Sequence, residues 1–87
     1  MIRLRFMGHI RTSMGKEETD IEVDEISVDG LFGMLRAAQP QGLEHGFTKF
    51  NTLMVVNDME VFSAASQRDR LLRGGDDVLL VPFSHGG

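Results

Sequence analysis

The run Val78-Leu79-Leu80-Val81 is apolar at every position and lacks the polar alternation of a strand with one wet face. A strand with apolar side chains on both sides belongs inside a sheet, with a neighbour on each edge. Arg73-Gly74-Gly75-Asp76-Asp77 before it has turn chemistry, with a glycine where a positive φ is wanted. At Pro82 the run breaks into a flexible tail. The last regular element of the chain therefore belongs at the centre of the fold.

The first residues supply a neighbour. Residues 1–7 alternate, with Ile2, Leu4 and Phe6 on one side and Arg3, Arg5 and Met7 on the other, the pattern of a half-buried strand. Residues 8–15 read as a turn or loop. Residues 19–24 place Ile21 and Val23 on one face and form a second strand, in a hairpin with the first. Ser27 offers a helix N-cap and Asp29 a favourable charge in the first turn. Val28, Leu31, Phe32, Leu35 and Ala38 then recur at helical spacing, and Pro40 and Gly42 mark the stop. Gly30 and Gly33 each cost that helix about 1 kcal/mol relative to alanine, which close packing on the sheet would justify.

Residues 42–51 show no period and read as irregular. Residues 53–56 form a short apolar strand, Asn57-Asp58 a tight turn and residues 60–62 its partner strand. Residues 63–73 are polar and connective, with room for a short helical turn. The order is strand, strand, helix, strand, strand, strand. Setting the last strand beside the first, with the helix across one face, gives an α+β fold of the β-grasp type, a mixed sheet of four to five strands carrying one main helix.

At 87 residues the chain has material for one modest core. No apolar run approaches the ~20 residues of a membrane span, and the alternating start is unlike a secretory signal, so the expected compartment is the cytoplasm. The absence of cysteine excludes disulfides, thiolate metal sites and a cysteine nucleophile. A net charge of -4 and only two lysines, Lys16 and Lys49, argue against nucleic acid. The acidic run 17–29 reads either as an edge strand whose charges discourage pairing or as a surface that steers a basic partner. His9, His45 and His85 have no carboxylate or cysteine at ligand spacing, so no metal site is expected. Nothing resembles a nucleophile turn with a positioned base, so the chain does not read as an enzyme.

The remaining feature is Gly86-Gly87 at the end. Two glycines there arise by chance in about half a per cent of chains at ~7% glycine usage. Without Cβ atoms they fit a channel too narrow for side chains. A terminal carboxylate, with a reference pKa near ~3.5, is ionised at neutral pH and can attack the α-phosphate of ATP to give an acyl-adenylate. The chain thus divides into a β-grasp domain, 1–82, and a flexible tail, 83–87, bearing the reactive end.

The start Met1-Ile2-Arg3-Leu4-Arg5-Phe6, the Val55-Val56-Asn57 strand end and above all the stretch Gly75-Asp76-Asp77-Val78-Leu79-Leu80-Val81-Pro82-Phe83-Ser84-His85-Gly86-Gly87 resemble the ubiquitin-like sulfur carriers, nearest to the small subunit of molybdopterin synthase. The resemblance implies a carrier cycle. A ubiquitin-activating-like partner, using ATP and Mg, adenylates Gly87, and a persulfide donor then supplies sulfur to give a thiocarboxylate. Gly86 provides slack, and residues 81–85 span the distance into the partner's active site. The carrier binds no cofactor itself, and a synthase large subunit is a further implied partner. Two positions depart from the family pattern: Phe83 replaces the second proline of a usual pair, and His85 stands where the family has a small residue. His85 reads either as a pH-sensitive contact inside a partner or as a tolerated tail side chain.

If Ile2, Leu4 and Phe6 face the helix, Met7 faces out, and Leu79 and Val81 face out beside it. With Met59 and Phe83 placed nearby, an apolar docking patch around the tail root is expected from Met7, Met59, Val81, Phe83 and His85. Methionine suits such surfaces, though the six in this chain also suit core filling. Two alternatives to the sulfur carrier remain: a modifier joined through Gly87 to lysines, and a β-grasp interaction module whose glycine end is incidental.

Overall fold

A computed structural model describes residues 1–38 and 48–83. In chain order the elements are β1 (Ile2–Phe6), α1 (Gly8–Met14), β2 (Glu18–Ile21), β3 (Glu25–Ser27), α2 (Val28–Ala38), β4 (Thr52–Val56), β5 (Glu60–Ser63), β6 (Leu71–Arg73) and β7 (Asp77–Pro82), with 3-10 turns at Lys49–Asn51 and Ala64–Gln67. Five strands form one mixed sheet in the order β2-β1-β7-β4-β5. β7 occupies its centre, parallel to β1 and antiparallel to β4, as its apolar sequence requires.

Register then determines which side chains are buried. Leu4 lies opposite Val78, Phe6 opposite Leu80, Leu80 opposite Met54 and Met54 opposite Phe62. All these residues are buried on one face of the sheet. Val28, Leu31, Phe32 and Leu35 of α2 pack into the same core. Ser27 Oγ accepts from the Gly30 N–H at 3.0 Å, capping the helix as expected. The apolar stripe of α2 ends at Leu35, because Ala38 is exposed. At Gly30 an added Cβ would stand 3.1 Å from Ile26 Cγ1, the close packing that excuses one of the two helical glycines. One main helix across a mixed five-stranded sheet, with the first and last strands side by side, is the β-grasp, ubiquitin-like fold.

Local sequence misleads in four places. Residues 8–15, expected as a turn or loop, hold the helix α1. Its buried residues Ile10, Ser13 and Met14 fall on one face, and Gly15, at φ +74°, closes it by donating to the carbonyls of Arg11 and Thr12. The second strand, expected at 19–24, ends at Ile21, and 25–27 forms β3, paired with β6 in a separate small sheet. β6 lies in the stretch expected to be connective, and Leu72 at its middle is fully buried opposite Ile26.

The fourth is at Lys49–Asn51, expected to be irregular but forming a 3-10 turn. Thr48 caps it, its Oγ1 accepting from Phe50 N–H at 3.2 Å while its own N–H donates to Asn51 Oδ1 at 2.8 Å. The expected helix stop at Pro40 and Gly42 lies outside the described residues.

Expectations for two turns and an edge strand hold. Asn57 and Asp58 form a tight turn with positive φ at both, closed by Met59 N–H on the Val56 carbonyl at 3.1 Å. Gly75 has φ +94° and donates to the Met1 carbonyl at 2.8 Å. The acidic β2 is an edge strand. Among the described residues no helix is long and apolar enough to cross a membrane.

Candidate functional site

The strand that leads to the glycine pair is held on both flanks at its end. On the β4 side Thr52 pairs with Pro82, and Phe83 N–H donates to the Asn51 carbonyl at 2.9 Å. Asn51 is itself fixed by the Thr48 cap. Thr52, fully buried, satisfies its hydroxyl by donating to the Thr48 carbonyl at 2.7 Å. On the β1 side Met7 N–H donates to the Leu80 carbonyl at 3.1 Å, after which β1 gives way to α1.

The sheet face away from α2 has no covering element among the described residues. Its centre is apolar by register: Leu79 lies opposite Val55, Val55 opposite Val61, and Val81 opposite Leu53. Val61 is 65% exposed. Towards β2 the face turns polar, with Arg3 opposite Asp20 and Arg5 opposite Glu18. Arg5 Nε donates to Asp77 Oδ1 at 2.8 Å, and its Nη2 reaches Asp58 Oδ1 at 3.4 Å. The Asp77 hydrogen bond keeps the guanidinium pKa above its already high ordinary value. A shallow depression of about 330 Å³ is lined by the apolar Phe6, Met7 and Leu79 and by the charged Arg5, Arg11, Glu17 and Glu18.

The expected docking residues separate accordingly. Met7, 47% exposed, sits one step beyond the Phe6–Leu80 pair and so beside Val81. Val81 and Phe83 are half-buried at the tail root. Met59 is not near them. Val56 pairs with Val78 and Thr52 with Pro82, so the turn carrying Met59 lies at the opposite end of β4 from the tail root. Met59 is 85% exposed, but its place is set by strand direction, which runs it away from Phe83. His85, Gly86 and Gly87 lie outside the described residues.

Leu53, Val55 and Val61 form part of the apolar face and were not singled out from the sequence. For Leu53 and Val55 the signal is the presence of apolar residues at both parities of 53–56, the same sign that marks β7. Among the described residues no group of histidine, aspartate and glutamate side chains is arranged to hold a metal ion.

No family model matches the sequence, and no curated protein matches it. Solved structures do match the fold. The putative molybdopterin converting factor, subunit 1, from Pyrococcus furiosus superposes with a TM-score of 0.70 at 21% identity, covering 95% of this chain and 97% of that one. SAMP1 from Haloferax volcanii gives 0.68 at 19% identity over 99% and 98%. A chain of the Amycolatopsis orientalis BexX/CysO complex gives 0.66 at 17% identity over the whole of both chains. These likenesses extend end to end, so the chain has the whole of that fold.

Proposed function

We propose that this chain is a sulfur carrier acting in the cytoplasm, with Gly87 as the sulfur-bearing residue, in the formation of a molybdopterin or tungstopterin cofactor. The Gly87 carboxylate attacks the α-phosphate of Mg-bound ATP in a ubiquitin-activating-like enzyme, expelling pyrophosphate. The terminal sulfur of a persulfide then attacks the acyl carbon and AMP leaves. A thiol cleaves the resulting acyl disulfide, forming a new disulfide and freeing the thiocarboxylate.

The observation that carries this reading is the place of β7. The strand leading to Gly86-Gly87 is the central one, held on the β1 side up to Leu80 and on the β4 side up to Phe83, which bonds to Asn51. Four residues follow Phe83. A chain of that length spans at most about 14 Å, so the domain itself must dock close to the partner's active site. The apolar centre of the open face, with Met7 and Val81 at the tail root, suits that docking, and its polar border sets the register of the encounter. The domain contributes binding and placement, and the partner does the chemistry. The likeness to the Pyrococcus furiosus converting factor subunit supports the pterin assignment, and the likeness to a chain of the BexX/CysO complex supports work beside a second protein.

The test is incubation with a candidate adenylating enzyme, Mg-ATP and a persulfide donor, read by intact mass. The expected species are the acyl-adenylate and then a product with one oxygen exchanged for sulfur, both lost on removal of Gly86 and Gly87. Absence of either species with every adenylating enzyme of the source organism overturns the reading.

The likeness to structures described as small archaeal modifier protein 1 favours a second reading, in which the same acyl-adenylate is passed to lysine amines. Arg73 is the last arginine or lysine, so trypsin would leave Gly74–Gly87 on each modified lysine. Recovery of that remnant from cell extracts supports conjugation. If loss of the glycine pair alters neither mass species nor any phenotype, the chain is an interaction module.

A further inference from the structure

Gly8 stands between β1 and α1, and two independent features exclude a side chain there. Its φ is +56°, where residues with a Cβ are strained. A Cβ on it would also come within 2.8 Å of Pro82 Cγ and 3.5 Å of Pro82 Cδ. The obstacle is a ring closed onto the backbone of the central strand, so relief requires the ring and its strand, or the start of α1, to shift.

Pro82 occupies a matching position in the ladder. Arg3 N–H donates to the Asp76 carbonyl at 3.0 Å and Met7 N–H to the Leu80 carbonyl at 3.1 Å. In a parallel ladder with that phase, the next bond would run from the N–H of position 82 to the Met7 carbonyl. Proline has no N–H to give. The Met7 carbonyl instead accepts from Ile10 at 3.1 Å and Arg11 at 3.4 Å, the opening bonds of α1. Pro82 thus ends the pairing of β7 with β1 and frees the acceptor that starts the helix. Gly8 then lets the helix back directly onto the ring.

We propose that Gly8 is a positioning residue for the C-terminal segment: by meeting Pro82 without a side chain it sets the point and direction from which the chain leaves the sheet. This rests on the sulfur-carrier reading for its consequence, which is the presentation of Gly87 to the adenylating site.

The fold contains its own control. Gly15, at the other end of α1, has a similar φ of +74° but nothing within 4 Å of an added Cβ. Gly8→Ala and Gly15→Ala therefore carry comparable backbone strain, and only the first pushes on Pro82. The variants are compared in ATP-dependent adenylation and, independently, by the NMR shifts of Pro82 and the exchange rate of the Phe83 amide. Gly8→Ala is expected to lose about tenfold or more in kcat with a smaller change in KM, since Val55, Val61 and Leu79 of the docking face lie away from the Gly8–Pro82 contact, and to shift Pro82 and speed Phe83 exchange. Gly15→Ala is expected to stay within about twofold of wild type on every readout.

Pro82→Ala removes the ring, so in combination with Gly8→Ala the two losses are expected to be less than additive. This cycle keeps the inference testable if Gly8→Ala alone folds poorly. Unchanged Pro82 and Phe83 signals in Gly8→Ala, equal kinetics for the two glycine variants, or strict additivity with Pro82→Ala each overturn it. A wild-type chain inert towards ATP overturns the functional reading instead, and the NMR arm still decides whether Gly8 places the segment.

Discussion

Arg5 and Asp77 are bonded side chain to side chain at 2.8 Å across the open face, tying the first strand to the start of the last. Asp77 N–H in turn donates to Asn57 Oδ1 at 2.9 Å, so the β4–β5 turn is fastened to the same point. Both ion-pair side chains are over a third exposed, 37% for Arg5 and 38% for Asp77. Solvent screening limits the pair, and a double-mutant cycle of Arg5→Ala and Asp77→Ala is expected to give a coupling of about 0.5–1 kcal/mol, falling in 1 M salt. A coupling unchanged by salt would show that the pair behaves as buried.

Acid should weaken the fold through two identifiable carboxylates. Arg70 donates to both oxygens of Glu60 at 2.6 Å, and Lys49 bonds to Asp29; each hydrogen bond holds its carboxyl pKa below the ordinary value. A pKa lowered in the folded state gives stability that is present above the unfolded value and lost as pH falls through the folded one. Urea midpoints are therefore expected to drop below about pH 4, and less steeply in Glu60→Gln and Asp29→Asn. Parallel curves for the wild type and both variants would assign the acid sensitivity elsewhere.

The helix α1 is part of the core, because Ile10 has no exposed surface. Ile10→Ala is expected to cost about 2–5 kcal/mol in chemical denaturation, a large share of the total stability of a domain this size. Thr12→Ala, on the exposed side of the same helix, is expected to stay within about 0.5 kcal/mol.

Thr48 acts on the tail root at one remove. Its cap orders Asn51, whose carbonyl receives the Phe83 N–H. Thr48→Ala is expected to cost about 0.5–2 kcal/mol and to raise the hydrogen-exchange rate of the Phe83 amide. An unaltered Phe83 rate at reduced stability would separate the cap from the root.

The corrected location of Met59 makes the docking face testable. Val81→Thr keeps the shape and strand preference of its position while placing a hydroxyl in the apolar centre, so KM for the adenylating partner is expected to rise about tenfold with kcat unchanged. Met59→Ser, at the far end of β4, is expected to leave KM as it is. The reverse ranking would move the interface to the β4–β5 turn.

Local sequence was enough wherever a few consecutive residues carry a complete physical instruction. Apolar residues on both faces of 78–81 demanded a central strand, alternation in 1–7 a half-buried one, Ser27 a helix start, and Asn57-Asp58 a tight turn; each is in the structure. Helix α1 escaped because one short helix buries only Ile10, Ser13 and Met14, too few positions to show a period. The β3–β6 pair escaped because three-residue strands take their stability from each other and from Leu72 in the core. The separation of Met59 from Phe83 and the meeting of Gly8 with Pro82 belong to no local stretch. Both follow from which strands pair, in which direction and in what register, and those choices are made by burial across the whole domain.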